Sequence, residues 1–371
     1  MIMKKVLGIV NLHSNASLGQ ITRNRPIAST SLLGRYSFID FPLSNFANSG
    51  IADIGVLIKE KPRSLFRHLG MGKEWNINTK VGGISLLYNE QYANNNAYNH
   101  DINNLLENKW LLDNSRANYV IIAPCHLLFT MDYTKLIEFH EQTNTDITVV
   151  YKKVDNAKNH FIGSSFIVKD GEYLSTIRTN KGDKNHRDIF METYIMSLEK
   201  LKAIMNCGLE TSQFFTIKDT IAKRAKEEKI SLYEYKGYLR CFDSESSYLE
   251  YSLELLNLDV ANQLFTPSWP IFTRTYDTPP ARYGVNAKVK NSYVANGAII
   301  DGEVENSIIS RNVRVKKGSK IKNSIIFSHS IIEEDAYIEY IVIDKEVRVR
   351  FVKEHIGSLD NPLVIRQGDV V

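Results

Sequence analysis

The sequence predicts a doubly wound α/β domain followed by a parallel β-helix. Short apolar runs alternate with helix-like stretches in the first part of the chain, which favours a mainly parallel sheet covered on both faces. Prolines cluster at Pro267, Pro270, Pro279 and Pro280 and predict a linker. Beyond them the helical pattern stops, and β-branched residues recur with asparagine and serine. We therefore divide the chain into residues 1–265, a linker at 266–282 and a β-helix at 283–371.

In the first domain, buried strands are predicted at 6–10, 54–58, 119–123 and 146–151, where apolar runs are short and rich in valine and isoleucine. Helices are predicted at 40–49, 105–113 and 133–142, where apolar residues recur at helical spacing. Ligands in such sheets bind at the carboxyl ends of the strands, so any site is expected there.

In the second domain, asparagine-serine pairs begin at Asn291, Asn306 and Asn323. Their spacings are 15 (306 − 291) and 17 (323 − 306) residues, close to one coil of roughly 18 residues in a hexapeptide-repeat β-helix. One coil cannot bury its apolar side alone, so several must stack. An irregular β-sandwich remains the alternative.

Composition excludes several classes of protein. The formal net charge is +4, and the basic residues are interleaved with acidic ones, which argues against binding to nucleic acid. No apolar run is long enough for a membrane span. Three cysteines, Cys125, Cys207 and Cys241, suggest no disulfide framework, so a cytoplasmic location is expected.

A specific motif lies at residues 34–51, which read GRYSFIDFPLSN and, from residue 48, NSGI. It resembles the pattern G-[KR]-Y-R-x-I-D-F-x-L-S-N-x-x-N-S-G-I of the glucose-1-phosphate adenylyltransferase family. The string PPARY at 279–283 resembles the start of that family's β-helix. The resemblance covers essentially the whole chain and implies a Rossmann-like nucleotidyltransferase domain, a left-handed β-helix and a tetramer.

The family's reaction needs a phosphate-binding loop and two basic partners. A sugar-phosphate oxygen attacks the α-phosphate of ATP, and the enzyme mainly positions the groups and stabilises charge. The resemblance places the loop G-G-x-G-T-R-L on residues 12–18, which read LHSNASL. The loop glycines are absent, Ser17 stands at the arginine position, and Ile27 stands at a lysine position. This loop is expected to obstruct phosphates rather than bind them.

Both carboxylates that would hold Mg²⁺ in the resembled family are replaced by thiols, Cys125 and Cys241. A thiol is a poor ligand for Mg²⁺. The two thiols are expected to face each other, either as inert buried groups or as a soft-metal site with His126. Asp243, two positions beyond Cys241, is expected to point elsewhere. No metal site is therefore assigned.

The lysine that grips the sugar phosphate in the family's F-x-E-K-P string has no counterpart at 174–181. Arg178 and Lys181 are the alternative sources of charge there. His13 and His126 are interpreted as neutral residues of a vestigial site. The asparagine-rich stretch 94–104 is interpreted as a polar surface loop, although Asp101 matches the aspartate of the family's G-T-A-D segment.

Arg23, Arg25 and Arg35 are predicted to form a basic cluster near the mouth of the site. In the resembled family, anionic effectors bind around this segment, so a phosphate or a phosphosugar is a candidate ligand. Surface charges and partner contacts are the alternative.

The sequence therefore indicates a regulatory or structural subunit in glycogen synthesis that has no catalytic residues or cofactor of its own. The resemblance implies that it assembles with a catalytic adenylyltransferase subunit as a heterotetramer, and Mg²⁺ is expected only in that partner. Two alternatives stay open. One is a weakly active adenylyltransferase, and the other is a hexapeptide-repeat acyltransferase, for which the coils offer His329.

Overall fold

The apolar runs of the first domain form a central sheet in the computed structural model, which describes residues 5–70, 72–77, 82–143 and 145–371. The predicted strands are confirmed and extend by one to three residues. The strands of this domain are β1 (Val6–Asn11), β2 (Ser31–Leu32), β3 (Tyr36–Ser37), β4 (Asp53–Ile58), β5 (Gly83–Tyr88), β6 (Tyr119–Pro124), β7 (Leu127–Leu128), β8 (Ile147–Val154), β9 (Ser165–Asp170), β10 (Tyr173–Thr179), β11 (Arg187–Ser197), β12 (Ser231–Glu234) and β13 (Arg240–Cys241).

Nine strands within the described residues form one sheet in the order β5-β4-β1-β6-β11-β8-β12-β10-β9. The half that contains β5, β4, β1 and β6 is parallel, as predicted. The other half is mixed, because β11 runs antiparallel to both β6 and β8 and because β9 and β10 form an antiparallel pair. The β9–β10 connection is a short turn at Gly171, which only an antiparallel pair allows.

Successive residues of the central strands contribute to two different apolar layers. Val10 and Ile121 belong to one core, whereas Ile9 and Ile122 belong to the other. This alternation is what a sheet covered on both faces requires. The helices are α1 (Asp40–Asn48), α2 (Pro62–Leu69), α3 (Asp101–Glu107), α4 (Trp110–Asn114), α5 (Tyr133–Gln142), α6 (Leu198–Thr211), α7 (Ile217–Arg224), α8 (Glu245–Glu254) and α9 (Leu258–Leu264).

The predicted helix at 105–113 is wrong in its bounds. The structure forms two helices there, α3 and α4, and α3 begins at Asp101. Asparagines at the start of α3 made this segment look like a loop, because asparagine has a weak intrinsic preference for helices. Here tertiary hydrogen bonds of the same asparagines override that preference.

The second domain is a left-handed parallel β-helix. Three parallel sheets, each of five strands within the described chain, form its sides. Equivalent positions of successive coils are separated by 15 or 17 residues, as in the register Arg282, Ile299 and Arg314, except that Val342 pairs with Val364 in the last coil. The strands are β14 (Arg282–Tyr283), β15 (Lys288–Lys290), β16 (Tyr293–Val294), β17 (Ile299–Ile300), β18 (Glu303–Glu305), β19 (Ile308–Ile309), β20 (Arg314–Val315), β21 (Lys320–Lys322), β22 (Ile325–Ile326), β23 (Ile331–Ile332), β24 (Tyr337–Glu339), β25 (Ile341–Ile343), β26 (Arg348–Val349), β27 (Glu354–Ile356) and β28 (Leu363–Ile365).

The asparagines that predicted the coil period form a ladder at one corner of the β-helix. Asn291, Asn306 and Asn323 have positive φ angles of 42°, 47° and 46°. Asparagine tolerates this left-handed conformation better than most residues. The Asn291 side-chain amide donates to Asn306 Oδ1 at 3.0 Å, and that of Asn306 donates to Asn323 Oδ1 at 2.5 Å. The sandwich alternative is thereby excluded.

The motif at 34–51 contacts both the linker and the β-helix. An added Cβ at Gly34, whose φ is +63°, would lie 2.9 Å from Ser310 Cα of the β-helix. Ser44 Oγ accepts from the Phe272 N–H of the linker at 2.9 Å. Asn48 Nδ2 donates to the Pro270 carbonyl oxygen at 2.9 Å. The motif therefore fastens the two domains to each other.

The sheet β16-β19-β22-β25-β28 turns its outer face towards the α/β domain. Ile308, Ile325 and Val342 on this face belong to the same apolar cluster as Phe38 and Phe41 of the motif. The inner side chains of the same strands fill a separate core inside the coils. One continuous apolar cluster therefore joins the two domains. None of the helices in the described residues is both long enough and apolar enough to cross a membrane.

Candidate ligand-binding cavity

A cavity of about 930 Å³ opens at the carboxyl ends of β1 and β6, where a parallel sheet places its ligands. Its walls come from the loop after β1, the segment 159–164, the middle of β11 and the start of α8. A second cavity of about 80 Å³ lies against the same loop. Asn11, Ser14, Ala16 and His126 line both.

Backbone N–H groups of the loop at 12–18 donate hydrogen bonds to nearby side chains of the same chain. The His13 N–H donates to Asn11 Oδ1 at 3.0 Å, and the Ala16 N–H donates to Ser14 Oγ at 2.9 Å. The Leu18 N–H donates to Thr22 Oγ1 at 3.1 Å. A phosphate-binding loop needs such N–H groups free and aimed at the ligand. Side chains of this loop and its neighbours occupy them instead.

Lys59 holds the same loop from outside. Its Nζ donates to Asn15 Oδ1 at 3.1 Å and to the Ser14 carbonyl oxygen at 3.4 Å. Burial lowers the pKa of Lys59. Lys59 and Lys61 line the small cavity rather than the large one. These cations therefore lie away from the large cavity.

His13 is a structural residue. Its Nε2 accepts from Asn104 Nδ2 at 3.0 Å, so its Nδ1–H donates to the Asn99 carbonyl oxygen at 3.3 Å. Burial lowers the pKa of His13 to about 3, so the ring is neutral at physiological pH. These contacts agree with the interpretation of His13 as a neutral residue.

The interpretation of 94–104 as a polar surface loop is wrong for its second half. Asn99, His100, Asp101, Asn103 and Asn104 are buried. Their amides satisfy backbone groups, as where Asn104 Nδ2 donates to the carbonyl oxygens of Ile58 and Leu87 at 3.2 Å. Sequence reasoning missed this segment because a buried asparagine network has no apolar periodicity. The matching aspartate at Asp101 was the available signal.

Asp101 joins three elements beside the cavity. Its carboxylate accepts from Asn11 Nδ2 at the end of β1 at 2.9 Å and from the Ile217 N–H of α7 at 3.1 Å. It also accepts from the Ile102 N–H at 2.8 Å. Burial raises its pKa. Asp101 therefore acts as a positioning residue for the floor of the cavity.

The two thiols at the lost metal positions lie at different cavities. Cys241 lines the large cavity, where its Sγ lies 3.4 Å from Ser164 Oγ and 3.6 Å from Asp243 Oδ2. Cys125 lines the small cavity, together with Ser17 and Ile27. That the thiols face each other stays a prediction. Cys125 follows β6, Cys241 ends β13, and His126 lines both cavities.

These residues do not fit the Mg²⁺ site of the resembled enzymes. Burial raises the pKa values of Cys125 and Cys241 well above their ordinary range, so both thiols stay protonated at neutral pH. A protonated thiol is not a ligand for a hard cation. In the part of the chain that the structure describes, no three His, Cys, Asp or Glu side chains come together as a metal site.

Asp243 lines the large cavity, so the expectation that it points elsewhere is wrong. Residues i and i + 2 of an extended chain share a side, and Asp243 therefore follows Cys241 into the same space. Its backbone N–H donates to Ser247 Oγ at 3.1 Å, which ties it to the start of α8. A carboxylate remains at the cavity, displaced from the position the family uses.

The large cavity is acidic. Apart from its histidines, Lys218 is the one cationic residue among the described residues that line it, and its Nζ lies 3.3 Å from Glu192 Oε1. Arg178 and Lys181 are exposed and do not line it. Polyphosphates and sugar phosphates need cationic partners, whereas most of the charged side chains that line this cavity are carboxylates. The acidic residues that line it are Asp101, Glu192, Asp243, Glu250 and Asp360.

The three candidate arginines have different environments. Arg25 is buried, its Nη2 lies 2.7 Å from Asp344 Oδ2 of the β-helix, and it also donates to Gln367 Oε1 at 3.2 Å. It is therefore part of the joint between the domains, because Asp344 already uses its charge, and not the exposed anion-binding group expected from the sequence. Arg23 and Arg35 are exposed. A role for these two in binding an anion stays a prediction.

Comparison with known proteins agrees with this arrangement. Residues 17–163 match the family model described as nucleotidyl transferase, and residues 279–360 match the GlmU-like, C-terminal hexapeptide model. The glycogen biosynthesis protein GlgD of Bacillus subtilis is 31% identical over 369 residues, which cover 99% of this chain and 97% of the relative. The chain belongs to the GlgD-type branch of the glucose-1-phosphate adenylyltransferase family.

Relatives that carry the name of the enzyme, glucose-1-phosphate adenylyltransferase, are also similar to the chain. The glucose-1-phosphate adenylyltransferase of Acetivibrio thermocellus is 31% identical over 90% of this chain and 79% of its own length. That of Clostridium botulinum, strain Alaska E43, is 32% identical over 83% of this chain and 81% of its own length. The family membership thus confirms the resemblance carried by the motif at 34–51.

Proposed function

We propose that this chain is a regulatory or structural subunit of glucose-1-phosphate adenylyltransferase in glycogen synthesis and is catalytically impaired on its own. Similarity to a glycogen biosynthesis protein over nearly the whole chain supports the pathway. The state of the site supports the impairment. The observation that carries the proposal is the acidic cavity, in which the remaining lysine, Lys218, pairs with Glu192.

The expected loss of activity is large. Removing one preorganised donor that stabilises developing charge costs roughly 10²–10³ in rate. Here the N–H groups of His13 and Ala16 already donate to side chains. Protonated thiols, Cys125 and Cys241, stand where the resembled family has its metal-binding carboxylates. Such losses do not add fully, because residues that act as a unit are non-additive. Turnover several orders of magnitude below that of a competent enzyme follows.

The retained scaffold supports a role in assembly. The motif at 34–51 and the β-helix are intact, and they join the domains. We propose that the chain assembles with a catalytic adenylyltransferase subunit as a heterotetramer in the cytoplasm. Its effect on that subunit would be a coupling free energy through their interface, typically about 1–3 kcal/mol. Arg23 and Arg35 are the candidates for binding a phosphate or phosphosugar effector.

The test is an assay of ADP-glucose formation by three samples: the catalytic subunit alone, this chain alone, and the two mixed. All samples contain ATP, glucose 1-phosphate and Mg²⁺. We expect no measurable turnover by this chain alone and a changed rate or effector response in the mixture. An unrelated protein at equal concentration controls for crowding.

Two outcomes would count against the proposal. Measurable turnover by this chain alone would favour the alternative of a weakly active enzyme. A mixture that behaves as the sum of its parts, with no co-elution of the two chains, would remove the regulatory role.

A further inference from the structure

We propose that the large cavity binds an uncharged saccharide, rather than a nucleotide or a sugar phosphate. Its volume of about 930 Å³ lies at the upper end of the range for small-molecule sites, roughly 300–1,000 Å³. A site that had merely lost its ligand would have no reason to keep this space and its polar lining. This inference is independent of the regulatory role.

Charge selects against phosphate. Asp243, Glu250 and Asp360 face the cavity, and no ion pair is found for them within the described chain. A phosphoryl group beside these carboxylates would be repelled at close range. Sugar hydroxyls instead donate to carboxylates and form short, charge-assisted hydrogen bonds. The acidic lining therefore favours a hydroxyl-rich ligand without charge.

The uncharged groups of the lining point to the same ligand. Asparagine, serine and threonine side chains outnumber the carboxylates, and they both donate and accept hydrogen bonds. An organic cation would satisfy the carboxylates but could not accept a hydrogen bond from any hydroxyl or amide group of the lining. A saccharide offers both donors and acceptors. The groups of this kind include Asn11, Ser14, Asn159, Ser164, Thr216 and Ser246.

His126 adds a neutral polar group to the wall of the cavity. Its side chain is 7% exposed and lines the cavity, and its Nδ1 has no hydrogen-bond partner among the described residues. A buried polar atom without a partner costs free energy, so such atoms are normally satisfied. Burial lowers the pKa of His126, so its ring is neutral. A neutral imidazole can exchange a hydrogen bond with a hydroxyl group.

The backbone beside the cavity is held in an uncommon conformation. Glu192 and Phe161 line the cavity with φ angles of 48° and 57°, which non-glycine residues adopt infrequently. Glu192 lies where the register of β11 against β8 shifts, between Phe190 and Tyr194. Such a bulge re-aims a side chain, and strained residues of this kind cluster at ligand sites. The bulge brings Glu192 to the cavity wall.

Aromatic rings complete the site. Tyr251 is 5% exposed and lines the cavity, and its hydroxyl lies 2.6 Å from His160 Nδ1. Tyr194 and Phe161 also line it. The three rings are 3–5% exposed, so they contribute only a small apolar part of the wall. Apolar and aromatic side chains beside a few polar groups are usual in small-molecule sites.

The experiment is calorimetric titration of the full chain, without a partner subunit, with each probe separately. The probes are glucose, maltose, maltotriose, glucose 1-phosphate, ATP and spermidine. We expect saturable binding of at least one unphosphorylated sugar, at least tenfold tighter than binding of ATP or of glucose 1-phosphate. Tighter binding of either phosphate, tighter binding of spermidine, or no saturable binding of any of the sugars would overturn the proposal.

A charge-reversal pair locates the ligand. Glu250→Lys places a cation at the cavity, whereas Glu172→Lys makes the same change in the exposed β9–β10 turn. We expect Glu250→Lys to weaken saccharide binding about tenfold or more and to strengthen binding of ATP. Glu172→Lys should leave both unchanged. Equal effects of the two variants, with both folded by circular dichroism, would overturn the location.

Because this titration uses the chain alone, its failure is distinguishable from failure of the mixing assay. A chain that activates its partner but binds no sugar would retain the proposed function and lose this inference.

Discussion

The motif at 34–51 and the loop at 12–18 lie close together in the chain but differ in how well they match the family pattern. The motif matches the family pattern almost throughout, and its side chains contact other parts of the same molecule. Asn45 Nδ2, for example, donates to the Phe129 carbonyl oxygen at 3.2 Å, and Asn45 Oδ1 accepts from Trp269 Nε1 at 3.0 Å. The loop has lost the residues whose partners would be phosphate. What remains are the groups whose partners lie inside the chain.

The comparison teaches that residues of one family signature serve two separable purposes. Gly34 fits against Ser310, and Ser44 holds the linker, so both are needed for folding whether or not a reaction occurs. Loop glycines let phosphate oxygens approach the backbone N–H groups. In this chain serine side chains accept from backbone N–H groups in and beside the loop, at Ser14 and Ser17.

The largest effect is expected at Arg25, between the two regions. Arg25→Ala leaves Asp344 buried without its cation, which should lower the free energy of unfolding by about 3–5 kcal/mol. Urea denaturation measures this. Lys288→Ala removes the exposed pair with Glu303 and should cost about 0–1 kcal/mol. The opposite result would be an Arg25→Ala variant that is as stable as the Lys288→Ala variant, but whose mixture with the catalytic subunit no longer changes its rate when phosphate is added. Arg25 would then be an effector-binding residue.

The next largest effect is expected at Gly34 of the motif. Gly34→Ala adds a Cβ at 2.9 Å from Ser310 Cα at a φ of +63°, so strain and a backbone clash together should cost about 2–4 kcal/mol. Gly171→Ala in the β9–β10 turn is the control, because φ is +57° there and no atom lies within 4 Å. It should cost only the strain, about 1–2 kcal/mol. Equal losses, measured by urea denaturation, would show that the domain contact contributes little.

The free energy of unfolding should depend on pH through His13 of the loop at 12–18. The pKa of His13 is about 3 in the folded chain and near 6.5 when unfolded, so the unfolded state binds more protons between these values. The stability that depends on neutral His13 is complete above about pH 6.5 and falls by up to about 1.4 kcal/mol per pH unit below it. His13→Gln should reduce this slope in urea denaturation measured from pH 7.5 to 5.5. An unchanged slope would place the proton uptake elsewhere.

The smallest effect is expected from restoring one glycine of the resembled loop, at Asn15. Asn15→Gly removes the contact of Lys59 Nζ with Asn15 Oδ1, which should cost about 1 kcal/mol. The cavity stays acidic and both thiols stay in place, so ADP-glucose formation should not appear in a coupled assay for pyrophosphate. Appearance of turnover in this variant would mean that the loop alone blocks the reaction.

The sequence was informative where a pattern repeats or where a signature is long. The asparagine ladder carried the coil period, because each coil must bury its apolar side against the next. The motif at 34–51 identified the family. Asp243, by contrast, was expected to point away from the site, and the structure places it at the large cavity, because the position of a side chain beyond the end of a strand depends on loops that no local pattern specifies.

By itself, then, the sequence predicted the two domains and, through the family resemblance, the left-handed β-helix, whereas the family positions assigned to Ser17, Ile27, Cys125 and Cys241 stay predictions. Only the tertiary structure decided that Arg25 pairs with Asp344 and that Asp243 lines the large cavity. It also decided that the cavity is acidic. The physical reason is that charge and burial at a site are sums over segments far apart in the chain: Arg25 and Asp344 are 319 residues apart, and their contact exists only after the domains pack.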